Sequence, residues 1–319
     1  MLLEIPESLG TPPDKDSTTE IEVACDWLEA SVLFSGSRIT KPEIADLLKD
    51  KSILPDATSA TRFVDDVWSQ LRSRRLHQGG NGPFDFSYQD MHLCVKNWED
   101  APVHSFCLLL SHPLEKPQPK KKDKAGKAKG INYTEQGELF ERIVEAACSV
   151  LWPSWTVHRT GWSKSTPQFL PKVVEGVARI LCGKVGNIDR WATPGSKERG
   201  LDLVWFRGFG DQRGCFPAFL MQCASGQHYE RKLDAPNDGI WQDLLDLVPD
   251  SLPRKAFATP IAFGKSEFER NAIQGKCFLL DRMRLLSAAS LDPNWIPPKL
   301  AADLVKWIRP KAKRLVWRP

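Results

Sequence analysis

The sequence predicts a mixed α/β protein of more than one domain, and three observations predict it. Its 319 residues exceed one minimal domain and suit two. Hydrophobic residues at 41% and charged residues at 26% are ordinary globular proportions and argue against a disordered chain. The order of patterns also changes midway, from helices followed by extended segments to an alternation of helix and strand. The expected division is a small acidic α+β domain over 1–112, a Lys/Pro-rich linker over 113–130, and an α/β domain over 131–319. In the last, helices should flank a mixed sheet.

The first helix is expected over Glu20–Phe34, where Ile21, Ala24, Leu28 and Val32 recur at helical spacing after a Ser-Thr-Thr start. The second begins at Thr40-Lys-Pro-Glu, which supplies an N-cap hydroxyl, a first-turn proline and an early acid. The third runs over Ser59–His77 on Phe63, Val67, Trp68 and Leu71, and stops at Gly79-Gly80. Extended segments follow at Phe84–Tyr88, Met91–Lys96 and Ser105–Ser111. Three helices followed by a β-ribbon resembles a winged-helix domain. Many such domains bind DNA, but residues 1–112 carry 10 basic against 18 acidic residues, a net charge of −8. Arg72, Arg74 and Arg75 sit at a helix C-terminus, where the helix dipole favours cations without any ligand. Protein contact or a structural role is the expectation here.

The linker holds seven lysines, three prolines and two glycines between His112 and Gly130. So little apolar content cannot offset ordering entropy, and the stretch reads as mobile. Lys120, Lys121, Lys122, Lys124, Lys127 and Lys129 suit either a solvated linker or a basic arm along phosphates. Residues 113–319 carry a net charge of +12, which would attract a polyanion.

Beyond the linker, helices are expected over Thr134–Val150, Gln168–Leu181, Ile240–Val248 and Leu300–Ile308. Strands are expected over Trp155–Arg159, Gly200–Arg207, Phe216–Ala224, Lys255–Phe263 and Lys276–Leu280. Strand alternation puts Asp202 on one face with Val204 and Phe206, and Gln222 on one face with Ala224. An acid in such an apolar run belongs at a strand end or beside a partner. Adjacent strands would bring Asp202 and Gln222 together as oxygen ligands for a hard cation, and magnesium suits that set. Read alone, Asp202 equally suits a turn at a strand start. Glu141 equally suits the charged helix face of Glu138, Glu141, Arg142 and Glu145.

Three segments carry a family resemblance: Gly137-Glu-Leu-Phe-Glu-Arg-Ile-Val144, Gly200-Leu-Asp-Leu-Val204 and Phe219-Leu-Met-Gln-Cys-Ala-Ser-Gly226. With the element order, they make residues 131–310 similar to the PD-(D/E)xK nucleases, and more narrowly to Mrr-type restriction endonucleases. The resemblance implies a restriction-endonuclease-like fold and magnesium-dependent DNA cleavage, with manganese as an alternative metal. It assigns Glu141, Asp202 and Gln222 to the metal. Where the family has a lysine two residues after the acid or glutamine, this chain has Ala224. That lysine orients the attacking water and offsets charge on the phosphate. Lys232 is the expected substitute, ahead of Lys184 and Lys197, and Arg231 suits a phosphate clamp.

Other chemistries find little support in the residues. No Gly-x-x-x-x-Gly-Lys-Ser/Thr loop and no His-Glu-x-x-His helix occurs. The eight cysteines form no Cys-x-x-Cys pair and read as reduced thiols. Cys223 beside His228 suggests a thiol nucleophile, but Cys223 should point to the core. Trp152, Trp155, Trp162 and Trp191 suit core packing or base stacking.

The acidic start MLLEIPESLG lacks a signal peptide's basic charge, so a cytoplasmic protein without membrane association is expected. The functional expectation is a metal-dependent DNA endonuclease. The resemblance adds a setting in prokaryotic defence beside an ATPase or sensor partner, and leaves a homo-oligomer open. The alternative is a catalytically inactive nuclease fold that binds nucleic acid or scaffolds a complex.

Overall fold

The computed structural model describes residues 1–9, 17–111, 121–122, 128–129, 133–160, 169–192, 199–226, 228–248 and 252–318. The protein is mixed α/β, with helices around a mixed sheet. Two compact units emerge. The first comprises Met1–Lys116, Pro260–Glu267 and Asp281–Pro319, and the second Pro117–Thr259 and Phe268–Leu280. The sequence division kept 131–319 together; the packing instead groups residues 281–319 with the N-terminal part.

In the first unit, α1 (Ser17–Ser35), β1 (Ile39–Thr40), α2 (Lys41–Asp50) and α3 (Ala57–His77) come in order. Thr40 caps α2 through a capping box with Glu43, as its Thr-x-x-Glu spacing dictates. β2 (Phe84–Phe86) and β3 (Asp90–Leu93) form a hairpin, and β1 adds antiparallel to β3. The core gathers Trp27, Leu28, Val32, Val64, Trp68 and Leu71 between α1 and α3. Ser105–Ser111, expected as extended, is instead largely helix: α4 spans Pro102–Leu109. Every residue from Val103 to Leu109 is buried, so an all-round apolar run carries no periodicity to separate helix from strand.

Within the stretch expected as a linker, β4 (Lys121–Lys122) pairs antiparallel with β5 (Ala128–Lys129). The second unit continues with α5 (Thr134–Leu151), β6 (Thr156–Arg159), α6 (Leu170–Ile180) and β7 (Lys184–Val185). Then come β8 (Leu203–Phe206), β9 (Ala218–Cys223), α7 (Asp238–Leu244), β10 (Leu245–Asp246) and β11 (Arg254–Ala258). The helix expected over Ile240–Val248 stops early, because Leu245–Asp246 turns extended to pair with Lys184–Val185. Residues 265–275, given no element from sequence, form α8 (Lys265–Gly275), whose inward positions are few: only Asn271 and Gly275 are buried.

β12 (Phe278–Leu280) completes a five-stranded sheet of order β12-β11-β9-β8-β6. β6, β8 and β9 run as an antiparallel meander, and β11 and β12 add parallel to β9. One apolar cluster joins Val173, Val174 and Val177 of α6 to Val204, Leu220, Trp241 and Leu244. The buried stripe of α5 is Leu139, Phe140, Ile143, Val144, Ala147 and Cys148.

After β12 the chain rejoins the first unit as α9 (Arg282–Leu286), α10 (Ala288–Leu291) and α11 (Pro298–Ala312). Trp307 of α11 packs on Phe106 of α4 with ring centroids 4.7 Å apart. Beyond α11, Trp317 bridges antiparallel to Leu3, so the two ends of the chain meet. Among the described residues, no helix is long and apolar enough to cross a membrane.

Candidate functional site

The register Leu203↔Met221 places Asp202, one residue before β8, across from Gln222 on β9. Gly200 at φ +75° turns the chain into this position, in the region glycine adopts without strain. The Asp202 backbone is then clamped on both sides. Its N–H donates to Met221 O at 2.9 Å, and its carbonyl accepts from the Thr160 N–H at 2.9 Å. The Thr160 hydroxyl lies 2.7 Å from Leu201 O and 3.0 Å from Asp202 O.

The Asp202 carboxylate is equally constrained. Its Oδ2 accepts the Cys223 N–H at 2.6 Å and the Gln222 Nε2–H at 2.5 Å. Gln222 Nε2 also donates to Cys223 O at 3.1 Å. Hydrogen bonds to a charged acceptor contribute about 1.5–3 kcal/mol each, so this carboxylate is fixed rather than mobile. Gln222 is buried, and its Oε1 lies against Gly200, 3.0 Å from where a Cβ there would sit.

Glu141 is half-buried on α5, five residues beyond Gln136. Gln136 itself is buried and donates to Ser225 O at 2.9 Å, fastening the start of α5 beside the end of β9. Cys223 reports on what surrounds it. Burial pushes its thiol well up, the charges of Asp202 and Glu141 push it further, and that of Lys232 opposes them. Glu141, Asp202 and Lys232, widely separated in sequence, therefore all act on one point at the end of β9. A thiol so raised stays protonated and is a poor nucleophile.

Lys232 lies exposed in the 3₁₀ turn Tyr229–Lys232, next to the exposed Arg231. Ala224 is buried, with its N–H donating to Ala258 O at 2.8 Å. Lys184 is exposed on β7. Lys121, Lys122 and Lys129 belong to the β4–β5 pair, whereas Lys120, Lys124 and Lys127 lie outside the described residues, as do Trp162 and Lys197.

Two of the tryptophans pack rather than stand ready to stack. Trp152 and Trp155 lie 4.4 and 4.8 Å from the Trp205 ring, beside Phe219 and Phe278. The Trp191 indole donates to Asp243 at 2.6 Å.

Sequence reasoning did not find Thr160 and Gln136. Each is a single buried polar residue whose role is to hold a backbone, and neither belongs to a spacing pattern. The one signal was a polar residue with no exposed face to occupy, Thr160 closing a strand and Gln136 opening an amphipathic helix.

Among the described residues, no three His, Cys, Asp or Glu side chains are grouped to hold a metal. The donor set is two carboxylates and one amide. All-oxygen donors of that kind fit a hard cation that keeps some of its waters. Gln222 joins such a set only by turning its amide, because it now presents nitrogen to Asp202. Comparison of the chain with known protein families, curated proteins and solved structures found no match.

Proposed function

We propose that the protein is a metal-dependent DNA endonuclease. In this reading the second unit has a restriction-endonuclease-like fold, and α1 to β3 form a winged-helix-like domain. The observation that carries it is the hydrogen-bonded pairing of Asp202 with Gln222 at the end of β9. The sheet supports it too, since the meander β6-β8-β9 with a parallel β11 puts Asp202 and Gln222 on adjacent strands.

Magnesium, or manganese in its place, would polarise the scissile phosphate and acidify the attacking water. Asp202, with its backbone and one carboxylate oxygen pinned, keeps a ligand atom in place without reorganisation. Glu141 supplies the second carboxylate. Lys232 offsets charge on the phosphate from the mobile end of a long side chain, in place of the lysine that Ala224 replaces. Arg231 clamps a neighbouring phosphate. Lys120, Lys121, Lys122, Lys124, Lys127 and Lys129 add affinity that does not depend on sequence. A place in prokaryotic defence, in the cytoplasm and beside an ATPase or sensor subunit, completes the reading.

Incubation of the full chain with supercoiled plasmid and magnesium or manganese tests this. Nicking by the wild type and its loss in Asp202→Ala is the expected result. Absence of nicking with every divalent metal, alone or with its partner proteins, overturns it.

One observation favours a second reading, in which the fold is inactive and binds nucleic acid or scaffolds a complex. Gln222 spends its amide on Asp202, and Ala224 is packed into the core where the lysine would stand. Under that reading neither magnesium nor calcium raises the melting temperature in a way that depends on Asp202.

A further inference from the structure

At the opposite end of the same sheet, where β9, β11 and β12 begin, lies a cleft of about 560 Å³. Sites for small molecules commonly enclose roughly 300–1,000 Å³. Its lining includes the aromatic rings of Phe219, Trp241 and Phe278 and the cationic side chains of Arg254, Lys255 and Lys276. Among the described residues, Asp238 is the single acid in the lining, and the charges of these lining residues sum to +2.

Lys255 is the unusual member. Its side chain is only 4% exposed, yet its one ion-pair partner among the described residues is Asp234, at 3.9 Å and 88% exposed. That separation is too long for a hydrogen bond. A nearly buried ammonium whose counter-charge is so distant and exposed gains from an anion that reaches it closely. The Trp241 indole N–H, on another lining residue, is buried and lacks a partner among the described residues. Arg254 and Lys276 are exposed at the mouth, where they would attract an anion from solution.

We infer that this cleft binds a nucleoside monophosphate, with the phosphate on Lys255, Arg254 and Lys276 and the base against Phe219 and Phe278. A phosphate monoester carries a charge of about −1.5 to −2 near neutral pH, which matches the excess in the lining. It also brings a counter-charge closer to Lys255 than the 3.9 Å of Asp234. A flat heteroaromatic ring suits the half-buried Phe219 and Phe278, since stacking a base on an aromatic side chain contributes about 1–3 kcal/mol. The inference stands apart from the nuclease reading, because Asp202 and Gln222 lie at the other end of β9.

Equilibrium dialysis of the full chain tests it, with adenosine 5′-monophosphate, adenosine and inorganic phosphate as separate probes. The monophosphate is expected to bind saturably, and each fragment at least about tenfold more weakly, as the stacking and ionic contributions are both needed. Lys255→Met should weaken binding by about tenfold or more. If that variant does not fold, the surface variant Arg254→Glu/Lys276→Glu carries the same expectation. Asp202→Ala should bind as the wild type does. No saturable binding at millimolar monophosphate overturns the inference. So does binding unchanged in the lysine and arginine variants, or lost in Asp202→Ala.

Discussion

Arg282 and Asp26 stand 256 residues apart in sequence and are hydrogen-bonded inside one core. Around them Glu22, Asp26 and Glu29 of α1 face two guanidinium groups, from Arg74 and Arg282, and all five are buried. Removing one partner of a buried pair leaves an uncompensated charge and costs about 3–5 kcal/mol. Arg282→Met is therefore expected to destabilise the first unit by an amount near the low end of that range, because Asp26 keeps Arg74. Urea unfolding of the full chain measures it. A loss below about 1 kcal/mol would show that the pair is dispensable.

The same cluster sets an acid limit. Burial pushes the Glu29 carboxyl up, but the charges of Arg74, His104 and Arg282 more than reverse this and leave its pKa at about 2. A folded-state value below the unfolded one stabilises the protein at higher pH, and that contribution fades as pH falls through the folded value. Stability should thus decline between pH 4.5 and about 2, and decline less steeply in Glu29→Gln. Equal slopes in the two proteins would exclude Glu29 as the titrating group.

Gly200 links backbone geometry to the candidate site. A Cβ there would lie 2.7 Å from the Ala235 Cβ and 3.0 Å from Gln222 Oε1, at a φ of +75°. Gly200→Ala is expected to cost about 1–3 kcal/mol and to displace the Gln222 amide. Thermal unfolding reads the first effect, and any metal-dependent activity reads the second.

Gln222→Glu separates a metal site from a purely structural contact. The substitution replaces a donor by a second carboxylate against Asp202, so without metal the variant should melt lower than the wild type. If the site takes magnesium, adding it should restore stability in this variant more than in the wild type. A variant that melts low whatever the magnesium concentration would speak for the inactive reading.

Replacing Lys120, Lys121, Lys122, Lys124, Lys127 and Lys129 with glutamine should weaken DNA binding alike for all sequences. It should also flatten the salt dependence, by up to about 0.9 in log–log slope per lost phosphate contact. Filter binding at two salt concentrations measures both. Lysine replacement is a cleaner test than deleting residues 1–112, because that deletion would strip Arg282 of Asp26 and Glu29.

The local elements were largely legible. Thr40 and Glu43 announce the start of α2, and the apolar spacing of Leu139, Phe140, Ile143 and Val144 announces α5. Strand alternation with antiparallel pairing was enough to bring Asp202 opposite Gln222. What depends on distant partners was not legible. Glu22, Asp26 and Glu29 have the spacing of a solvated helix face, and only the approach of Arg74 and Arg282 makes their burial tolerable. α4 was misread as extended because a helix buried on all sides has no polar face to mark its period. Leu245 leaves its helix because Val185, sixty residues earlier, offers it a strand partner.

The placement of Arg282 has a consequence for synthesis. Residues 22, 26 and 29 emerge from the ribosome early, while their second arginine follows only after all of residues 117–280 have been made. Domains commonly fold as units in the order of their translation. Here the first unit to appear cannot neutralise its own acids until the second has been extruded. A nascent chain halted before Arg282 should therefore carry a first unit that proteases cut readily, even where the second already resists them.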